Sequence, residues 1–138
     1  MIRLQLVLSV ASGLLFHAPF SQGEESLARD VNAVERGRQV FNDRDKGHCL
    51  LCHALSSSRE TFQGNLGPSL DGVAKRLGRA ELRQRIADSR MFNPNTIMPP
   101  YYSTDKLSQV SPEYRDKTVL TEQELEDVVT YLIYEAND

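Results

Sequence analysis

The chain has 138 residues, a net charge of −3, 40% hydrophobic residues and no Trp. That length suggests one domain, and a domain this small has a thin apolar core unless something else helps to fill it. The acidic balance argues against general nucleic-acid binding.

The N-terminus reads Met1-Ile2-Arg3, followed by an apolar run from Leu4 to Phe16 that is broken by Gln5, Ser9 and Ser12. Pro19, Ser21, Gln22 and Gly23 follow. One positive charge, a short apolar core and small residues describe a secretory signal, here residues 1–23 with cleavage after Gly23. The run is too short to span a bilayer comfortably, which weighs against an uncleaved anchor. Its removal takes away one basic residue, Arg3, and no acidic one, so residues 24–138 form a slightly more acidic mature domain.

Residues 24–30 read as a polar, loose start. A helix is expected from about Asp30, its candidate cap, to Asp43. Val31, Val34, Gly37, Val40 and Phe41 recur on it at helical spacing. Gly37 is costly in mid-helix, which points to another helix crossing there with its backbone close.

Asn42 to Gly47 is a charged turn. It leads into His48-Cys49-Leu50-Leu51-Cys52-His53. Two cysteines three apart followed directly by a histidine is the c-type haem attachment pattern. On one side of a helical turn, each thiol can join one vinyl group of the same porphyrin edge. The histidine that follows is then carried under the ring, where an imidazole nitrogen can bind iron. A redox dithiol would call for a strand-rich surround, which the flanks lack. A zinc site would need four ligands, and no further Cys exists. Haem attached this way leaves no thiol for a disulfide. Its attachment outside the bacterial cytoplasm agrees with the leader and a periplasmic location.

Residues 54–66 read as a polar surface loop. In Gly64-Asn65-Leu66-Gly67-Pro68-Ser69-Leu70 the glycines permit tight turns and Pro68 fixes the backbone. The Pro68 carbonyl is a candidate acceptor for the second ring N–H of His53, which would orient the imidazole and raise its basicity. A helix is expected from Ala80 to about Arg90, with Leu82, Ile86 and Met91 on its buried side. Lys75, Arg76, Arg79, Arg83, Arg85 and Arg90 make this stretch basic, either as a solvated face or as a means of steering a partner.

Asn93 to Tyr102 reads NPNTIMPPYY, and Pro94, Pro99 and Pro100 exclude a continuous helix. Met98 in this rigid stretch is the candidate distal iron ligand, with Met91 as its rival. A thioether opposite an imidazole raises the potential and fills the sixth position. Residues 103–118 form a further polar loop. Thr121 and Glu124 form a capping box for a last helix. Leu125, Val128, Val129 and Leu132 face inward on it, with Tyr131 and Tyr134 beside them. Its expected crossing with the first helix lies at Gly37 and Phe41, against Val128 and Tyr131.

Gly37-x-x-x-Phe41, Cys49-x-x-Cys52-His53, Gly67-Pro68-x-Leu70, Met98-Pro99 and Val128-Val129-Thr130-Tyr131-Leu132 together resemble the class I cytochromes c. More narrowly, FNDRDKGHCLLCHAL (41–55), GNLGPSL (64–70), NPNTIMPPYY (93–102) and LTEQELEDVVTYL (120–132) resemble the SoxX family, monohaem subunits of bacterial sulfur oxidation. The resemblance implies an all-α fold of about three to five helices wrapped around one covalent haem c. It implies Cys49, Cys52, His53, Met98 and Pro68 as the cofactor-binding set, with His53 and Met98 on the iron. It also implies a SoxA-like dihaem or monohaem partner in a heterodimer, and a soluble cytochrome as electron acceptor. The pair would attach thiosulfate oxidatively to a carrier-protein cysteine, an L-cysteine S-thiosulfotransferase activity. No nucleophile paired with a base stands out, so no catalysis is expected of this chain alone. A free-standing electron shuttle is the alternative.

Overall fold

In a computed structural model, residues 22–135 are described as backbone, and side chains from residue 31 onward. The expected leader, residues 1–23, lies outside the described residues apart from Gln22 and Gly23. Three α-helices carry the fold: α1 (Gln22–Asn42), α2 (Val73–Asp88) and α3 (Glu122–Glu135). Short 3-10 turns lie at Cys49–Leu51, Ser89–Met91 and Pro112–Tyr114. No strand occurs among the described residues, and no described helix is long and apolar enough to cross a membrane.

α3 is the centre of the packing, because it packs on both α1 and α2, while among the described residues those two do not approach each other. Its apolar stripe explains this. Leu125, Val128, Val129, Tyr131 and Leu132 are all buried, so the helix has inward residues on two sides. The capping box forms: Glu124 N–H donates to Thr121 Oγ1 (3.2 Å) and Thr121 N–H donates to Glu124 Oε2 (2.8 Å). Tyr134, by contrast, is exposed.

The α1–α3 crossing falls at Gly37. A Cβ there would stand 2.8 Å from Tyr131 Cβ and 2.5 Å from the Asp127 carbonyl carbon, so only glycine lets the backbones meet. One turn on, the rings of Phe41 and Tyr131 meet edge to face at 5.3 Å. Phe41 is fully buried, a burial that stabilises by roughly 2–3 kcal/mol. Beside the crossing, Arg36 donates to both carboxylate oxygens of buried Asp127, at 2.7 and 2.8 Å. Gln123 adds a third bond at 3.0 Å, so this buried charge is fully partnered.

Four expectations need correction. α1 starts at Gln22, so residues 24–30 are helical and Asp30 lies inside the helix and does not cap it. Glu24, Glu25, Leu27, Ala28 and Arg29 are good helix formers and extend it. Val31, expected inward, is exposed because it precedes the stretch that α3 covers. α2 begins at Val73, not Ala80, with a break at Gly78 (φ 70°, ψ 166°) that only glycine adopts readily. Met91 is turned to solvent, 73% exposed, because α2 ends at Asp88 and the Ser89–Met91 turn shifts the phase of the side chains.

Candidate functional site

The attachment turn starts at His48, whose left-handed backbone (φ 40°) reverses the chain out of the loop after α1. His48 N–H donates to the Asp43 carbonyl (2.8 Å). His53 N–H donates to the Cys49 carbonyl (3.0 Å), which closes one helical turn between the first cysteine and the histidine. Gly47 precedes it in a tight corner, since a Cβ there would lie 2.5 Å from the Val40 carbonyl oxygen and 3.3 Å from Cys49 Sγ.

Residues 64–70 run alongside this turn and are bonded to it at three points. Gly64 N–H reaches the Leu50 carbonyl, Gly67 N–H the Cys52 carbonyl and Leu70 N–H the Ala54 carbonyl, each at 2.8 Å. Both glycines are required by contact. A Cβ on Gly64 would stand 2.7 Å from Cys52 Cα, and one on Gly67 would overlap the His53 ring, 2.5 Å from Nδ1. The next residue supplies the acceptor: His53 Nδ1 lies 2.7 Å from the Pro68 carbonyl oxygen. A carbonyl can only accept, so Nδ1 carries the proton and Nε2 presents its lone pair. Asp71 braces the loop's far end through Ser56 N–H and Ser56 Oγ, both at 2.8 Å, and Ser69 Oγ at 2.8 Å. Those bonds hold its carboxyl below the usual range. Gln63 Oε1 takes the N–H of buried Leu55 (2.6 Å).

The two cysteines are not joined to each other. Burial pushes the Cys49 thiol up to about 12, the opposite of the lowered value a redox dithiol requires. Among the described residues no group of three His, Cys, Asp or Glu side chains could hold a metal ion. The donor set suits a porphyrin: two thiols on one turn and an imidazole fixed by glycine and a carbonyl, with one free ring nitrogen.

Met98 lies elsewhere, in the strap between α2 and α3. It is half-buried and packs on the same core as Cys49. Its N–H donates to Thr96 Oγ1 (3.2 Å). His53, Cys49, Cys52 and Pro68 are thus one constellation, and Met98 is placed by a separate segment. Tyr101 carried no role in the sequence reading, yet its hydroxyl donates to the Gly47 carbonyl at 2.8 Å. Burial pushes its phenol up to about 12. The signal was a tyrosine fixed behind two prolines, where a half-buried hydroxyl needs a partner.

The basic stretch is largely spent within the molecule. Arg79 and Arg83 pair with Glu126 on α3, Arg85 with Glu81, and Arg90 with Asp88. Arg76 donates to the Asp71 and Ser69 carbonyls. Of the two expectations, steering is the weaker, since most of these guanidiniums are already neutralised or bonded.

The cytochrome c family model matches residues 34–134, and the chain belongs to that family. It is an all-α, class I type cytochrome carrying one covalently attached haem c. A comparison with curated proteins returns no match. Among solved structures it is similar to a chain of SoxXA from P. pantotrophus, with 29% identity and a TM-score of 0.65. The likeness covers 72% of this chain and 78% of that one, and it marks a SoxX-like electron-transfer cytochrome.

Proposed function

We propose that the chain is the electron-accepting subunit of a periplasmic, thiosulfate-oxidising heterodimer. Residues 1–23 are its export leader and 24–138 its mature domain. A SoxA-like cytochrome partner carries the chemistry that attaches thiosulfate to a carrier-protein cysteine. This chain takes the electrons released and hands them to a soluble cytochrome. The observation that carries this reading is the likeness to SoxXA over most of both chains. Exposed apolar side chains beside the attachment turn support a protein partner: Leu51 is 62% and Phe62 is 87% exposed, and both line one surface cavity.

When bound, the haem supplies a single iron that alternates between Fe(III) and Fe(II). Cys49 and Cys52 would hold the porphyrin through thioethers, and His53 Nε2 and Met98 Sδ would be the protein's two ligands to the iron. The Pro68 carbonyl keeps the Nδ1 proton in place and makes the imidazole a stronger donor in both oxidation states. The Gly67 contact stops the ring from turning. With His53 and Met98 both holding the iron, this chain's residues would move no proton and exchange no bond during transfer, which would keep reorganisation small.

Purification from the native host tests this. A stable one-to-one complex with a larger cytochrome, active in joining thiosulfate to a carrier cysteine only when both chains are present, is the expected result. A monomer at working concentration that exchanges electrons directly with an oxidase or reductase would favour the free-standing shuttle.

A further inference from the structure

The proline strap meets the attachment turn through one side chain. Tyr101 Oη donates to the Gly47 carbonyl at 2.8 Å, across 54 positions of sequence. Around that bond the main chain is fixed. Tyr101 N–H donates to the Ile86 carbonyl (3.4 Å), Tyr102 N–H to the Ala87 carbonyl (3.0 Å), and Leu120 N–H to the Tyr101 carbonyl (2.9 Å). Gly47 is fixed too, its N–H on the Val40 carbonyl at 3.2 Å and its Cα position too crowded for a side chain. Met98 is joined to Tyr101 by Pro99 and Pro100, whose locked φ angles make the link stiff, so where Tyr101 sits decides where Met98 sits. Among the described residues, the hydrogen bond that Met98 itself makes is from its N–H to Thr96 Oγ1.

We infer that Tyr101 is a positioning residue for Met98: its hydroxyl latches the strap to the turn that bears Cys49, and thereby sets how readily the thioether leaves the iron. This rests on Met98 being the distal ligand. The open, ligand-exchanged state is one in which the strap has moved away, and only the closed state contains the latch. Removing the latch therefore shifts that equilibrium towards opening, by about fivefold for one ordinary hydrogen bond and more if the Gly47 carbonyl is left unpartnered.

The test is an imidazole titration of the oxidised, haem-loaded protein, followed by loss of the weak sulfur-to-iron absorption band. Tyr101→Phe is expected to bind imidazole about fivefold more tightly. Tyr102→Phe keeps the ring that faces Arg83 at 5.9 Å and is expected to match the wild type within twofold. Replacing Tyr101 by p-aminophenylalanine, which restores a para N–H donor, should return the affinity towards the wild-type value, whereas p-methylphenylalanine should not. That pair also serves if Tyr101→Phe fails to accumulate. An imidazole affinity unchanged within twofold in Tyr101→Phe, alongside a lowered unfolding midpoint, would mean that the bond is structural only and would overturn the inference. A sulfur-to-iron band that is missing from the wild type, or that survives in Met98→Ala, would instead show that the distal ligand is misassigned, and the inference would fall with that reading.

Discussion

The segment that bears His53 is bonded by main chain to a neighbouring loop at Leu50, Cys52 and Ala54, and two glycines press that loop against it. The strap that bears Met98 has its main-chain bonds beyond two prolines, from Tyr101 and Tyr102 to α2 and from Leu120, just before α3, to Tyr101. The imidazole has a fixed acceptor at 2.7 Å, whereas a thioether has no hydrogen by which an acceptor could hold it. The contrast teaches that one ligand is set by backbone contact and the other by a stiff but removable strap. Changes on the His53 side should cost the cofactor, while changes on the Met98 side should leave it attached and alter its ligation and potential.

The largest effect is expected from Cys49→Ser combined with Cys52→Ser. Haem should then be extracted by acidified solvent and the helices should largely fail to fold, as read by circular dichroism. A well-folded, colourless double variant would break the contrast at its root. Next comes Gly67→Ala, where the added methyl meets the His53 ring. Expected is a severe loss of haem incorporation, measured as haem absorbance per polypeptide, with no comparable loss in Asn65→Ala at an exposed neighbouring site. On the other side, Met98→Ala should retain haem at the wild-type ratio and lower the midpoint potential, measured by redox titration. An unchanged potential would remove Met98 from the iron.

Smaller effects sharpen the comparison. Asp88 ends α2 next to the carbonyls that anchor the strap, and its bonds to Arg90 lower its carboxyl to about 2. The ordinary Asp value is about 3.9, so the folded value lies below the unfolded one. Its contribution is therefore fully present above about pH 4 and is lost as pH falls through about 2. The pair is partly open to solvent, so the effect should be well under about 1 kcal/mol. Denaturant unfolding between pH 5 and pH 2.5 should show a slightly shallower acid loss in Asp88→Asn than in the wild type. Thr121→Ala, remote from both ligands, should cost about 1 kcal/mol through the lost cap of α3 and leave the potential unchanged.

What could be read from the residues follows the same division. The His53 side was legible because its chemistry is local: the cysteine spacing and the Gly-Pro pair sit within 20 residues of one another. The α1–α3 crossing was legible for a different reason. A glycine in mid-helix is costly, and close backbone approach is the commonest return for it. The start of α1 was missed because a polar stretch of good helix formers lacks the apolar rhythm that announces a helix. Gly78 and Met91 were missed because a break or a 3-10 turn resets the phase that the rhythm relies on. The arginines of α2 could not be matched to Glu126, nor Tyr101 to Gly47, since those pairs are set by how elements pack and not by spacing along the chain.

The most direct test of the two-sided iron site is a proton NMR spectrum of the reduced, haem-loaded protein, wild type beside Met98→Ala. A methionine methyl resonance shifted far upfield by the porphyrin ring current is predicted in the wild type and should vanish in the variant, with the haem still bound to Cys49 and Cys52. The same resonance persisting in Met98→Ala, or missing from the wild type, would contradict the account.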